Sequence, residues 1–363
     1  MKVSYLLMGL FLPVALSAQK KVDLDKFNVA VQYRSLPQYR LDTSYKTYNV
    51  EVEGTRLMQP FLKEINPEKS VELEGWRQLE KAGHITIKLR FEDILPESVN
   101  VKERVETIKN KTGQITGTRT YYRQEVVYTF AATAVITDFK GLHIEDIEMA
   151  TRQQKHTYQS AEFANRAMAD GYFFINALSI TNDLFRRSVN NAVHNLSNRI
   201  TDNYGYRRVT ASDIMWVVDS RKHPEYESHR KAFQKINDVL FTMSADKPIT
   251  GLREELAPAI KYFESIKKNY SSTSKHDRKL RYASYYNLAV LYYYLDDPQA
   301  MMNEAKGLRL NDFDAKDAGG FEQSATNLKN LFENNQVYTR HFSIDTSKYK
   351  GPFEKEALTK KTK

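Results

Sequence analysis

The 363-residue chain has no cysteine. That absence excludes disulfide staples, thiolate metal sites, a cysteine nucleophile and attachment of a lipid to a cysteine. Only two tryptophans are present. After residue 18 there is no apolar run near the roughly 20 residues that a bilayer-spanning helix requires, so the chain is expected to be soluble once its first segment is removed. No glycine-rich run ends in Gly-Lys-Ser/Thr, and no Gly-x-Ser-x-Gly turn occurs, which removes the usual signatures of phosphate loops and of serine hydrolases. With no disulfide available, the fold must rest on burial of its own core, which a chain of this length can supply.

The first eighteen residues carry the clearest positive signal. Lys2 precedes an apolar stretch from Tyr5 to Val14. Small residues follow (Ala15, Ser17, Ala18), then the polar run Gln19-Lys20-Lys21. This is the layout of a secretory signal peptide. It predicts export, with cleavage before Gln19 or after Ser17, to the periplasm or cell surface.

The net charge of +9 is unevenly spread. Six lysines (348, 350, 355, 360, 361, 363) face only Glu354 and Glu356 near the C-terminus, whereas the rest of the chain mixes both signs. A solvated basic tail explains this better than a nucleic-acid site. The division expected from pattern is 1–18 signal peptide, 19–27 linker, 28–158 β-rich domain, 159–335 α-helical region and 336–363 basic, largely disordered tail.

Period-two alternation marks the β-rich part. Val29, Val31 and Tyr33 alternate with polar neighbours, as do Tyr48, Val50 and Val52. Ile85, Ile87, Leu89 and Phe91 share one face. Tyr122, Val126, Tyr128, Phe130, Ala132, Ala134 and Ile136 share another. One-sided alternation predicts antiparallel sheet with a wet face. Glycines 113 and 117 between two strand-like arms predict a hairpin, whose charged first arm (Lys102, Glu103, Arg104, Glu106) reads as an edge guarded against pairing. A helix-and-loop insertion is expected over 55–81, broken at Pro60 and Pro67.

The period changes near Ser160, which is read as a helix N-cap with Glu162 in the first turn. Phe185, Val189, Ala192, Val193, Leu196 and Ile200 then form one apolar stripe, ended by Gly205. The fold class is therefore α+β: an N-terminal antiparallel β-rich domain followed by an α-helical region.

Tyr282–Asp312 reads as two helices joined at Asp296-Asp297-Pro298. Leu288, Ala289 and Tyr292 lie on the first helix, and Ala300, Gly307 and Leu308 on the second. The segment resembles a tetratricopeptide repeat, in which small residues let paired helices approach while Leu and Tyr fill the groove between them. Glu304 and Asp312 depart from that pattern, standing where an aromatic and a proline are usual. Ala259 and Phe263 resemble the second helix of a preceding, degenerate repeat. The signal ending in Ser17-Ala18-Gln19, the YYNLA…YLDDP segment and Thr339–Asp345 (TRHFSID) together resemble a family of uncharacterised exported Bacteroidota proteins. That resemblance implies no activity.

Chemistry is thinly represented. His223 and His229, in HPEYESH, are six apart rather than the four of a zincin helix, and read as a loop before a helix. Asn311–Gly320 mimics a calcium loop but has Lys316 and Asp317 at the wrong positions. Glu92, Asp93 and Glu97 cluster near a strand end and read as solvated. Tyr121-Tyr122 and Tyr292-Tyr293-Tyr294 read chiefly as core filling. No metal or cofactor is expected. The expected function is a non-enzymatic envelope scaffold that holds a protein partner through its helical region. The alternative is a glycan-binding or glycan-processing protein using its β-rich domain.

Overall fold

The computed structural model describes residues 21–56 and 58–354. The expected signal peptide, residues 1–18, and the last nine residues lie outside them. Helices and strands both contribute substantially, as an α+β class requires. The chain divides into two compact units, and each is built from two separate stretches of the sequence.

Among the described residues, the first unit comprises 21–33 and 209–342. Strand β1 (Leu24–Arg34) pairs with β10 (Arg208–Val218), which follows it by more than 170 residues in the chain. The alternating Val29 and Val31 therefore pack among helices and not in the β-rich unit. Residues 24–27, expected to be linker, are strand. Five helices follow: α3 (Tyr226–Thr242), α4 (Leu252–Asn269), α5 (Lys275–Tyr294), α6 (Pro298–Asn311) and α7 (Lys316–Asn335). Each packs against the next along the chain. Asp297 caps α6 by accepting from the Ala300 N–H at 2.9 Å, with Pro298 in the first turn where its missing N–H costs nothing. Asn287, fully buried on α5, exchanges two hydrogen bonds with the backbone of Trp216 on β10 (2.8 and 2.7 Å). Its amide thus satisfies backbone groups at a strand edge that would otherwise be buried unpaired.

The same unit is tied together by one buried ion pair. Arg340, 2% exposed, donates from Nε to Asp296 Oδ1 at 2.7 Å and from its backbone N–H to Oδ2 at 2.6 Å. Another guanidinium N–H donates to the Tyr293 carbonyl at 2.5 Å. The guanidinium lies over two rings, Tyr33 at 4.2 Å and Tyr293 at 4.4 Å. Residues 336–354, expected to be part of a disordered tail, are described. The planar cation of Arg340 has five donors and two stacking faces, and this site uses both kinds of contact.

Among the described residues, the second unit comprises 34–208 and 343–354. Its main sheet has the order β3–β2–β4–β7–β8, from Arg77–Gln78, Thr47–Gly54, Ile85–Phe91, Ala132–Asp138 and His143–Ala150. The sheet is mixed, because β2 runs parallel to both β3 and β4. The expected purely antiparallel sheet fails here because the 55–84 connection, carrying α1 (Gln59–Ile65), is long enough for a parallel crossover. Pro60 opens α1 rather than breaking it. A second sheet has the order β5–β6–β9, from Leu95–Lys109, Ile115–Thr129 and Lys155–Gln159. The hairpin is present and its charged arm β5 is an edge. The long strand expected from Tyr122 to Ile136 changes sheets at Phe130–Ala131: β6 pairs with β5, and β7 with β4.

Helix α2 (Arg166–Tyr204) covers the main sheet. Its N-cap is Asn165, whose side chain accepts from the Ala167 N–H. Ser160 instead remains with the strands: its hydroxyl accepts from the Gln124 N–H at 2.8 Å, and Phe163 still bridges to Tyr122. Helix formation waits until strand pairing is finished. Gly205 is the C-cap, as expected.

Replacing Arg340 by alanine should leave Asp296 buried without its cation and cost about 3–5 kcal/mol. Lysine should fail to rescue, since it cannot reproduce the forked bonds or the stacking. Urea unfolding followed by circular dichroism checks this. A loss below about 1 kcal/mol would contradict the role assigned to the pair.

Candidate functional site

The residues that carried the repeat pattern lie inside the first unit. Leu288, Ala289, Tyr292, Ala259 and Phe263 belong to one buried cluster, with half-buried Ala300 packed against it. Leu308 belongs to a neighbouring cluster with Tyr282 and Ala318. A Cβ at Gly307 would collide with the Tyr285 ring, so the small residue permits the α5–α6 approach. Glu304 is buried beside Lys267, whose Nζ donates to it at 2.8 and 3.1 Å. Burial raises its carboxyl to about 6 even though Lys267 pulls the other way. These repeat residues build the helix stack, and all but half-buried Ala300 and Gly307 are buried.

The suspected chemical motifs resolve into structure. Glu225 accepts from the hydroxyls of Tyr262 and Tyr270, each at 2.9 Å. His229 is fully buried on α3, with its ring edge-on to Tyr262 and Phe263. Neither of its ring nitrogens has a hydrogen-bond partner. Among the described residues no group of three His, Asp or Glu is placed to hold a metal ion. In the calcium-like loop, Asp312 pairs with Arg278 at 3.0 Å and Asp317 accepts from the Tyr282 hydroxyl at 2.6 Å. Glu92 pairs with Arg152, Glu97 with Lys155, and Asp93 accepts from Thr55. Tyr292 and Tyr294 are buried, whereas Tyr121 lies half-buried beneath the Arg104 guanidinium.

Two surfaces of α2 stand out among the described residues. The helix has 39 residues and runs about 58 Å. The seven-residue strands β4 and β7 run only about 23 Å. The sheet cannot cover the helix along its whole length. Phe185, Val189, Ala192, Val193, Leu196 and Ile200 are buried, as their stripe predicts. Phe174, Ile175 and Leu178 stand five full turns before Ala192, Val193 and Leu196, so they continue the same stripe. They are 84%, 84% and 77% exposed. Met168 is also exposed, and half-buried Gly171 shares the face. In this half of the helix a different face is buried, carrying Ala169, Ile180 and Leu184, with Tyr172 against Phe163. The stripe is hydrophobic where the solvent-facing side of a helix is usually polar. Pattern alone flagged 185–200 and missed 168–178. The signal that could have found it is the length of the stripe relative to the strands.

The second surface is a cleft of about 330 Å³ between the C-terminal half of α2 and strands β6, β8 and β9. Tyr128 and His156 stack at 5.4 Å beside Phe130. Arg187, Asn191 and Asn195 line the helix side, and no Asp or Glu lines the cleft. Arg187 forms no ion pair among the described residues. A second cleft, about 380 Å³, does carry Glu53 and Glu92. Glu53 is held by Lys88 at 2.6 Å and by Arg90, which keep its carboxyl below the ordinary range. Such a group is ionised at neutral pH and is not a general acid for glycoside cleavage.

No protein-family profile matches this chain, and no curated protein matches it.

Burial pushes the His229 pKa from 6.5 down to about 3, with His223 and Arg230 adding to the effect. The folded protein then holds a neutral ring where the unfolded chain binds a proton. Stability should fall as pH drops from 6.5 toward 3, by at most about tenfold in the folding equilibrium per pH unit. His229→Phe keeps an apolar ring and removes the titration. Its unfolding free energy should depend less steeply on pH across that window than the wild type's. Equal slopes would contradict the assignment.

Proposed function

We propose that this protein is a non-catalytic binding or scaffold protein of the cell envelope, exported by its N-terminal segment, that holds a protein partner on its helical surface. The observation that carries the reading is the uncovered stripe of α2, in which Phe174, Ile175 and Leu178 expose most of their apolar area. Isolated exposed leucines need no explanation, but three on one helix face in continuity with a core stripe do. The pairwise stacking of α3–α6 agrees with a scaffold role. No helix among the described residues is long and apolar enough to cross a membrane. The stripe is therefore better explained by a folded partner than by a bilayer span.

A glycan-binding reading has one specific observation in its favour. The α2 cleft combines ring faces, amide groups and an unpaired Arg187 with no lining carboxylate. That lining suits a ring-shaped ligand bearing an acid group, because a guanidinium binds carboxylate through paired charge-assisted bonds.

The protein-partner reading is tested by cross-linked capture from envelope extracts. Phe174→Glu combined with Leu178→Glu should lower partner recovery at least tenfold while leaving the circular dichroism spectrum unchanged. Full recovery by this variant would sink the reading. For the cleft, oligogalacturonate titrated by calorimetry should bind wild type about ten- to a hundredfold more tightly than Arg187→Ala. Its methyl-esterified form should bind both proteins alike. Indifference to Arg187 would remove the cleft from consideration.

A further inference from the structure

We infer that the occupant of the α2 stripe is a second copy of this chain, docked on the first by the same face in antiparallel orientation. The inference rests on the proposed docking role of the stripe and names its partner.

Three features support self-association. The first is area. Met168, Phe174, Ile175 and Leu178 are all exposed. At on the order of 150 Å² for each fully exposed large side chain, weighted by their exposure, they offer about 450 Å² per copy. A face-to-face pair then buries roughly 900 Å² from these side chains, the size of a weak, concentration-dependent interface.

The second feature is shape. A two-fold axis between Phe174 and Ile175 sets those residues against each other. It also sets Gly171 of one copy opposite Leu178 of the other, because helix positions equally spaced about such an axis face each other. Large falls on small, as ridge-into-groove packing requires. The space where a Cβ of Gly171 would stand has no neighbour within 4 Å, so a side chain from another molecule can enter it. An isologous contact of this kind closes on itself and leaves no stripe exposed.

The third feature is charge. Residues 171–182 (GYFFINALSITN) contain no Asp, Glu, Lys or Arg. Asp170 and Asp183 bracket the segment, and Asp170 is already engaged by Arg166 at 3.9 Å. Self-pairing therefore brings no like charges together within the face.

The test is the mass of the purified mature chain in solution, by light scattering from about 1 to 100 µM. A mass approaching twice the chain's is expected at the upper end of this range. Phe174→Glu combined with Leu178→Glu should return the mass to one chain with an unchanged circular dichroism spectrum. Because the chain has no cysteine, a single introduced thiol gives a second readout. Ile175→Cys should be linked into dimers by a short bismaleimide at least tenfold faster than Lys306→Cys, which lies on exposed α6 surface. A wild-type protein that stays one chain in mass, with no preferential linking at 175, overturns the second-copy inference. The capture experiment then decides separately whether another protein uses the stripe. A dimer that survives the double glutamate substitution also overturns the inference, because its interface lies elsewhere.

Discussion

The first unit depends on burying the Arg340 guanidinium against Asp296. A charge taken out of water is costly, and only dense compensation makes it tolerable. Here the compensation comes from three separate parts of the chain. Strand β1 supplies the Tyr33 ring, the α5–α6 turn supplies Asp296 and the Tyr293 carbonyl, and residues 339–340 supply the cation and a Thr339 hydroxyl that also reaches Asp296. Asp296 has a positive φ of 57°. The turn that presents its carboxylate is therefore one that few residues adopt, and Asp is among the more tolerant. The ion pair does for this unit what a disulfide does in many other proteins: it holds together segments that are remote in sequence.

The second unit is organised by a mismatch of lengths. A helix rises about 1.5 Å per residue and a strand about 3.3 Å, so a 39-residue helix outruns seven-residue strands about two and a half times. The hydrophobic stripe does not stop where the sheet stops. Along 185–200 it is core, and along 168–178 it faces solvent, although the periodicity is the same throughout. A surface made in this way is rigid, since half of the helix that bears it is anchored in the core. Rigidity lowers the ordering cost of any association on the exposed half.

Much of this was legible from local pattern. The alternations at Tyr48–Val52 and Ile85–Phe91, the hairpin around Gly113, the α2 stripe and the helix stop at Gly205 all follow from rules that span a few residues. The repeat positions Leu288, Ala289, Tyr292 and Leu308 are buried, as a paired-helix pattern requires. Other features were not legible because they depend on distant partners. Ser160 has the chemistry of an N-cap but is held by Gln124. Val29 and Val31 alternate like sheet residues, yet their strand pairs only with β10 and packs on helices. Arg340 sits in a segment whose composition reads as tail, and only the folded unit shows what encloses it.

The sequence alone determined the α+β class, the absence of disulfides and thiol chemistry, and the periodicity of most elements, because period and composition are local properties. It also carried the expectation of export. Tertiary structure decided which strands pair, that β2 and β4 run parallel, how the two ends of the chain are shared between units, and where the sheet stops beneath α2. That last point bears most on function. A buried stripe and an exposed stripe obey the same 3.6-residue period, and only the extent of the surface packed against them tells one from the other.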